Sequence, residues 1–562
     1  MIAPDSTDHE PIPHIVLLAA LAAALLALGI YLGTLHPGVG PSIDSIELHT
    51  AALVGGVIHP PGSPQYLMLG RLMMAILPGH SAAYRLNLFS ALCAAAAVGV
   101  VYLLCYRLSH HFPASLFASL TLVIAPRFWY QANIAELYAL NSLYVAAVGY
   151  LLLTWHQTRQ PAAYWAATAL YALSFGNHLS MILLLPMFLY AVAITDQTKL
   201  TRPVNLLITA GIVLLAAAQY LYIPLRAAAN PPFCNYCPGP LPNLLDYVRG
   251  PLLDYLTGGP FKQAMFGLPR RAIMARLPES MGAWGRQFMP WGLILGVAGA
   301  WDLLQKDAEA AWLLLIGIGA EYAFVMGYDI PDWHDFLTPC YVLFAPLLGY
   351  GALRLWLLLK RDSRRFTLKG QMWADYAYPA ALTAVGLALL VLSFFVNIPL
   401  VDQSEDTAYE VNGLALLAQV EPGAWLLMPH PDSAAFYYSW AVRYLALAAR
   451  PPVELTVVTP EQVNPPPGPA PYYLAWADAA PQLEPDALLA NGRQILLLDP
   501  GDERAAAWGL LPICTPDGES IAGYEVVAVR EGGSIQPLMG VSQWDAVRES
   551  VVFFGEAASC PD

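Results

Sequence analysis

The chain has 562 residues, 57% of them hydrophobic and only 12% charged, with a mean hydropathy of +0.49. A soluble domain carries about 25% charged residues, so most of this chain must be dissolved in lipid. The net charge of −14 sits in the carboxy-terminal part, where six arginines and no lysine face 22 Asp and Glu residues from Val401 onward. That acidic tail excludes nucleic acid as a partner, since phosphate contacts need basic patches. No GxGxxG or P-loop pattern is present, so nothing points to nucleotide binding.

The first apolar run, residues 15–32, is longer than a signal-peptide core. It follows Asp5, Asp8 and Glu10 without a Lys or Arg, and so reads as a retained transmembrane helix. Runs of about 17–25 apolar residues span a bilayer as helices. Eleven such spans are expected, at 14–34, 84–106, 112–127, 136–155, 161–176, 178–195, 203–225, 287–304, 309–328, 336–359 and 374–397. The positive-inside rule, weighted by Lys360, Arg361, Arg364, Arg365 and Lys369, places the amino terminus inside and the tail outside. The expected fold is a polytopic α-helical membrane body over 1–399, with external loops at about 35–83 and 226–286. An extracytoplasmic acidic α/β domain follows over 400–562. The localisation implied is the cell membrane, multi-pass, with the lipid bilayer itself as a partner.

This topology puts the polar breaks on the outer face. The first is Ser42-Ile-Asp-Ser-Ile-Glu47, followed by Val57-Ile-His-Pro-Pro-Gly-Ser-Pro-Gln-Tyr66. Asp44 and Glu47 are three apart and share one face of a helix. They read either as a general-base pair or as an acidic helix start that favours the dipole. His59-Pro-Pro-Gly62 is a rigid turn, because both prolines fix φ and glycine permits reversal. It either holds His59 against a phosphate or sugar, or is an ordinary interfacial turn.

Further along, Glu136 and Tyr138 open a helix at the boundary, where Glu136 either caps the helix or faces a cavity. Asn177-His178 interrupts an apolar stretch, where an unsatisfied polar group costs several kcal/mol. Tyr222 and Arg226 end a helix, and Arg226 either snorkels or clamps a phosphate bidentately. Asp329, Asp332, His334 and Asp335 lie on a Pro-containing loop that reads as a solvated turn more readily than as a metal cluster.

Cys93, Cys105 and Cys340 lie in apolar runs and read as small core residues. Cys234/Cys237 and Cys514/Cys560 read as two disulfides if those parts face an oxidising side. In the tail, β-like runs at 424–428, 453–458, 472–476, 494–498 and 524–529 alternate with a helical stretch at 433–449, which suggests a small α/β domain. Residues 464–471 form a Pro-rich surface loop.

Taken in order, these motifs resemble the membrane glycosyltransferases of the GT-C superfamily, in particular bacterial relatives of the transmembrane-protein-260 type of protein O-mannosyltransferase. The residues that carry the resemblance are Asp44-Ser-Ile-Glu47 with His59-Pro-Pro-Gly62, Phe128-Trp129, Ala135-Glu-Leu-Tyr138 and Gly176-Asn-His178. Tyr222-Ile-Pro-Leu-Arg226 with Asn230-Pro231, Tyr328-Asp-Ile-Pro-Asp332 and Val401-Asp-Gln-Ser404 complete it. Pro232-Phe-Cys-Asn-Tyr-Cys237 departs from the pattern, where a Trp-Gly-type polar segment is expected. The resemblance implies transfer of a monosaccharide, mannose or another hexose, from a polyprenyl-phosphate donor to a hydroxyl of an extracytoplasmic protein or glycan, with inversion. It implies Asp44 or Glu47 as base, with His59, His178, Tyr222 and Arg226 on the donor phosphate. Glu136, Tyr138, Asn177, Asp329 and Asp332 would line the cavity on the acceptor side. No cofactor and no metal site is implied. The competing classes are a transporter or flippase of lipid-linked sugar, and a non-catalytic membrane scaffold.

Overall fold

The computed structural model describes residues 12–77, 79–235, 237, 248–366 and 374–418, and in the tail chiefly 424–427, 434–453, 455–458, 472–474, 494–496, 508–515, 521–531, 534–537 and 547–552. The Pro-rich loop 464–471 and Lys369 lie outside the described residues. The chain divides into two compact units. The first comprises Met1–Leu35, Gly55–Gly79 and Arg85–Ser404; the second comprises His36–Val54, His80–Tyr84 and Glu405–Asp562.

The first unit is built of apolar helices: α1 (His14–Thr34), α3 (Pro64–Ile76), α4 (Ala82–Ser109, all but its first turn), α5 (Phe112–Val123), α6 (Pro126–Asn133), α7 (Leu137–Thr158), α8 (Pro161–Ser174) and α9 (Leu185–Thr195). The longer helices Pro203–Ala217, Arg270–Lys306, Ala308–Gly327, Thr338–Phe366 and Ala374–Val401 follow. Between them they supply the internal hydrogen bonds that backbone in lipid requires.

In α1 the buried stripe is Val16, Ala20, Ala23, Ala27 and Tyr31, at three- and four-residue spacing, while Leu18, Leu21 and Leu25 point outward. Small residues let the helices approach closely. A Cβ on Gly99 of α4 would stand 3.2 Å from the Ala20 carbonyl oxygen of α1. Gly299 and Gly351 do the same for Arg270–Lys306 against Thr338–Phe366, where a Cβ would meet opposing backbone at 2.0 and 1.9 Å.

Among the described residues, seven helices are long and apolar enough to cross a membrane, or eight if the bent pair α5–α6 counts as one span, against the eleven expected. The difference lies in helices that the chain shortens or bends. α5 and α6 meet at 65° across the break before Pro126. Residues 161–176 form a 14-residue helix, and 178–195 form a 3-10 turn followed by the 11-residue α9. The expected span 287–304 is part of a 37-residue helix that kinks at Met289, just before Pro290.

The second unit contains α2 (Ile43–Val54), which packs against the helix Ala434–Ala448. Strands β1 (Ala424–Leu427), β2 (Leu455–Val458) and β3 (Tyr472–Leu474) form a parallel sheet in the order β2-β1-β3. The helix Ala434–Ala448 makes the crossover between β1 and β2, as parallel strands require. A second, antiparallel sheet in the order β4-β6-β5 contains β4 (Gln494–Leu496), β5 (Trp508–Cys514) and β6 (Ile521–Glu531), with β7 (Ser534–Pro537) on β6. The alternation in the sequence anticipated the first sheet together with β4 and β6, and missed β5 and β7.

Candidate active site

In the second unit, α2 carries Asp44 in its first turn and Glu47 one turn on. Asp44 is half-buried, whereas Glu47 is 1% exposed. The neighbour of Glu47 is Arg443 of the packed helix. Burial pulls the Arg443 guanidinium down to about 10, and the Glu47 carboxylate opposes that loss. His49, also buried, tilts against the Tyr444 ring at 5.8 Å, and the Tyr444 hydroxyl accepts a bond from the Ala83 backbone N–H at 3.0 Å.

The loop before α2 is held by the start of the tail. His36 is buried with Nε2 3.9 Å from an Asp406 carboxylate oxygen. Burial lowers its imidazole below the ordinary value, while Asp406 and the Gly38 backbone work the other way. Gly38 lies directly against the Glu410 carboxylate, where a Cβ would fall 1.6 Å from Glu410 Oε2. Burial raises the Glu410 carboxyl, opposed by a bond from the Val39 backbone.

In the first unit, the turn at His59 is closed by the Gly62 N–H donating to the His59 carbonyl at 2.8 Å. Its ring meets Phe261 edge-on at 5.6 Å. Val57 bridges to Cys234, and the Asn235 N–H donates to the Val57 carbonyl at 2.9 Å. The segment that departs from the family pattern therefore pairs alongside the turn. It is closed by the Cys234–Cys237 disulfide. Gly56 makes the pairing possible, since a Cβ would stand 2.3 Å from the Phe233 carbonyl oxygen. Cys514 is disulfide-bonded as well, while its expected partner Cys560 lies outside the described residues. Cys93, Cys105 and Cys340 are free and buried, as read.

The same stretch gathers the basic groups. The Tyr222 hydroxyl donates to the Gly56 carbonyl at 2.9 Å, and Arg226 Nε donates to the Gly55 carbonyl. Gly55 has φ +66, and a Cβ there would stand 2.7 Å from Arg226 Nη2 and 2.9 Å from Arg71 Nη1. Two guanidinium groups thus share one backbone turn. Arg71 escaped the sequence reading because it is a lone cation in the otherwise apolar α3, where nothing marks it apart from a snorkelling residue.

His178 is 8% exposed, and its Nδ1 takes the Ser180 N–H at 3.2 Å. Its ring packs on Tyr138 at 5.5 Å and Phe336 at 5.3 Å, and it lies within electrostatic range of His59. The Gln65 N–H donates to the Gly176 carbonyl at 2.9 Å, joining the two polar breaks. His59, Tyr138 and His178 are therefore brought together.

Asn177 is structural on its amide side: Nδ2 donates to the Leu137 carbonyl at 3.2 Å, the helix–helix bond that depth in the membrane demands. Glu136 occupies the N-cap position of α7 without a side-chain cap bond. It is buried, and its carboxylate acts on the Tyr66 hydroxyl.

Asp329 and Asp332 lie on the loop after Ala308–Gly327, where the Asp329 N–H donates to the Ala264 carbonyl at 2.9 Å. There Arg276 donates to the Tyr328 carbonyl at 2.6 Å and covers the Trp333 ring at 4.8 Å. Asp335 pairs with Arg127 and accepts from Gln131 Nε2 at 2.6 Å. His334 lies 3.5 Å from Glu279. The next residue after Asp335, Phe336, packs on Tyr138, His178 and Tyr328.

The fold is similar to that of ArnT from Cupriavidus metallidurans bound to undecaprenyl phosphate, with TM-score 0.55 and 14% identity over 93% of this chain and 98% of that one. It is also similar to the archaeal oligosaccharyltransferase AglB from Archaeoglobus fulgidus, with TM-score 0.51 and 13% identity over 91% of this chain and 74% of that one. At these identities the likeness is one of fold.

Residues 44–201 match the family model described as the Protein O-mannosyl-transferase TMEM260 N-terminal domain. The mouse Protein O-mannosyl-transferase TMEM260 is 36% identical over 105 residues, and the Dictyostelium discoideum protein 28% over 124 residues. These matches span 19% and 22% of this chain and 15% of each relative. Through this amino-terminal segment the chain is related to the TMEM260-type enzymes.

Proposed function

We propose that this chain is an inverting glycosyltransferase that moves mannose or another hexose from a polyprenyl-phosphate donor to a Ser or Thr hydroxyl of a protein on the outer face of the membrane. The observation that carries the reading is the location of the family match. Residues 44–201 include Asp44, Glu47, His59, Glu136, Tyr138, Asn177 and His178, and the turn at His59 adjoins the glycines where Arg71 and Arg226 meet. The structural neighbours are described with undecaprenyl phosphate and with a dolichol-phosphate and an inhibitory peptide, which agrees with a lipid-phosphate donor and a peptide acceptor. The disulfides at Cys234–Cys237 and Cys514 fit an oxidising, extracytoplasmic side.

In this mechanism Asp44 removes the proton from the acceptor hydroxyl as its oxygen attacks the anomeric carbon. The bond from that carbon to the phosphate oxygen breaks, and its electron pair leaves with the lipid phosphate. Arg226 and Arg71 offset the charge that builds there, the electrostatic part of such catalysis. His59, Tyr222 and His178 orient the phosphate and sugar by hydrogen bonding, and Glu136, Tyr138, Asp329 and Asp332 serve the acceptor side. Glu47 keeps α2 in place through Arg443.

The test is transfer from a radiolabelled polyprenyl-phosphate mannose to a Ser/Thr-rich peptide by the purified full chain. Wild type should label the peptide and the Asp44→Asn variant should not. Wild-type activity in that variant would overturn the assignment of the base.

A further inference from the structure

A second basic feature lies apart from the Gly55 turn. A cavity of about 490 Å³ opens among α6, the helix Arg270–Lys306, the loop before Thr338 and the end of Ala374–Val401. Its polar wall is Arg127, Tyr130, Arg286, Gln287 and His334, and Leu400 stands on its apolar side. Among the described residues, no carboxylate lines it. The nearby acids sit behind the cations: Asp335 holds Arg127 and Glu279 flanks His334. Asp329 and Asp332, on the adjoining loop, act on Arg276 and Asp335.

Arg127 is fixed in orientation by Asp335 through its side chain and by Gln287, whose Oε1 accepts the Arg127 backbone N–H at 2.9 Å. Arg286 has no acidic partner within 4 Å among the described residues. The potential at the wall is reflected in His334. Burial holds its imidazole below the ordinary value, Glu279 works against that, and Arg127, Arg286 and Arg276 add to the lowering.

We propose that this cavity is a second anion subsite, separate from Arg71 and Arg226, that takes the phosphate group of a phosphoester through Arg286 and Arg127. The planar guanidinium fork of Arg286 suits phosphate oxygens bidentately, Arg127, whose Nε and Nη2 face Asp335, adds its remaining N–H donors, and the volume is that of a small-ligand pocket. Leu400 beside the basic wall favours a phosphate with an apolar group attached, as in a lipid headgroup. The sugar-transfer reading is not a premise of this site.

The test uses the full chain in nanodiscs, with retention of phosphatidylglycerol over phosphatidylcholine read by native mass spectrometry. Glycerol 3-phosphate is titrated separately in pure phosphatidylcholine discs, with thermal unfolding as the readout. Wild type and Arg226→Gln should retain phosphatidylglycerol alike, Arg286→Gln should lose roughly tenfold in retention, and Arg286→Lys should fall between them. Stabilisation by glycerol 3-phosphate that Arg286→Gln abolishes would assign the site to the phosphate group itself. Retention of the lipid without that stabilisation would assign it to a membrane headgroup. Equal retention by wild type and Arg286→Gln, or loss in Arg226→Gln alone, would overturn the proposal.

Discussion

Glu47 of α2 and Arg443 of the helix Ala434–Ala448 form an electrostatic pair inside the second unit, while Asp44, one turn away from Glu47, remains half exposed. Two carboxylates that the sequence leaves equivalent thus differ in burial, Glu47 being 1% exposed and Asp44 half-buried. A general base has to reach a substrate proton, which on the proposed reading favours Asp44.

The two substitutions should therefore fail differently. Asp44→Asn should lower kcat by about 10²–10⁴ with an unchanged unfolding temperature. Glu47→Gln should destabilise by roughly 1–3 kcal/mol, less than a fully buried pair because Arg443 keeps partial exposure. A Glu47→Met, Arg443→Met double variant should recover most of that loss. Thermal unfolding beside single-turnover rates checks all three, and an unfolding loss in Asp44→Asn as large as in Glu47→Gln would refute the separation.

At the Gly55 turn, Arg226→Ala should raise the donor KM roughly ten- to hundredfold, as expected for loss of a charge-assisted hydrogen bond. Arg71→Ala should act in the same direction. Gly55→Ala should reproduce the effect without removing a charge. Its φ of +66 costs a side chain about 1–2 kcal/mol, and the new methyl would displace both guanidinium groups. Steady-state kinetics against donor concentration distinguishes this from a kcat defect.

Reduction of the Cys234–Cys237 bridge releases a four-residue loop, worth about 2 kcal/mol on chain-entropy grounds. Because that loop pairs with Val57 beside His59, Cys234→Ser with Cys237→Ser should weaken donor binding while the membrane helices stay folded. Donor KM and circular dichroism read the two effects separately, and an unchanged KM would show that the turn stands without the bridge.

His36 supplies a pH dependence. Its folded value lies below the ordinary 6.5, so the unfolded chain binds more protons as pH falls through that range. Stability of the second unit should be full above about pH 6.5 and decline on acidification. His36→Asn should remove that part of the decline. Unfolding midpoints between pH 7.5 and 5 for the two proteins check the sign, and a midpoint that rises on acidification in wild type would contradict it.

The sequence revealed what local pattern governs. Apolar runs marked α1, α4, α7 and the later long helices, and the Cys-Asn-Tyr-Cys spacing marked a disulfide. Long apolar runs did not reveal how they are cut, since the 65° bend between α5 and α6 and the kink at Met289 depend on packing as well as on proline. Nothing local in the sequence showed that Asp329 acts on Arg276 or that Asp332 acts on Asp335. The pairing of Arg127 with Asp335 spans 208 residues, and that of Glu47 with Arg443 crosses most of the chain. One sequence alone holds no record of either contact, whereas the glycines at 55 and 56 could have signalled a close approach.

The 3-10 turn Asp335–Leu337 sets two neighbouring residues to opposite tasks, Asp335 gripping Arg127 and Gln131 while Phe336 braces the rings of Tyr138 and His178. One short turn of backbone therefore belongs both to the wall of the basic cavity, through Arg127, and to the ring cluster of Tyr138 and His178, so a substitution in it reaches two places at once.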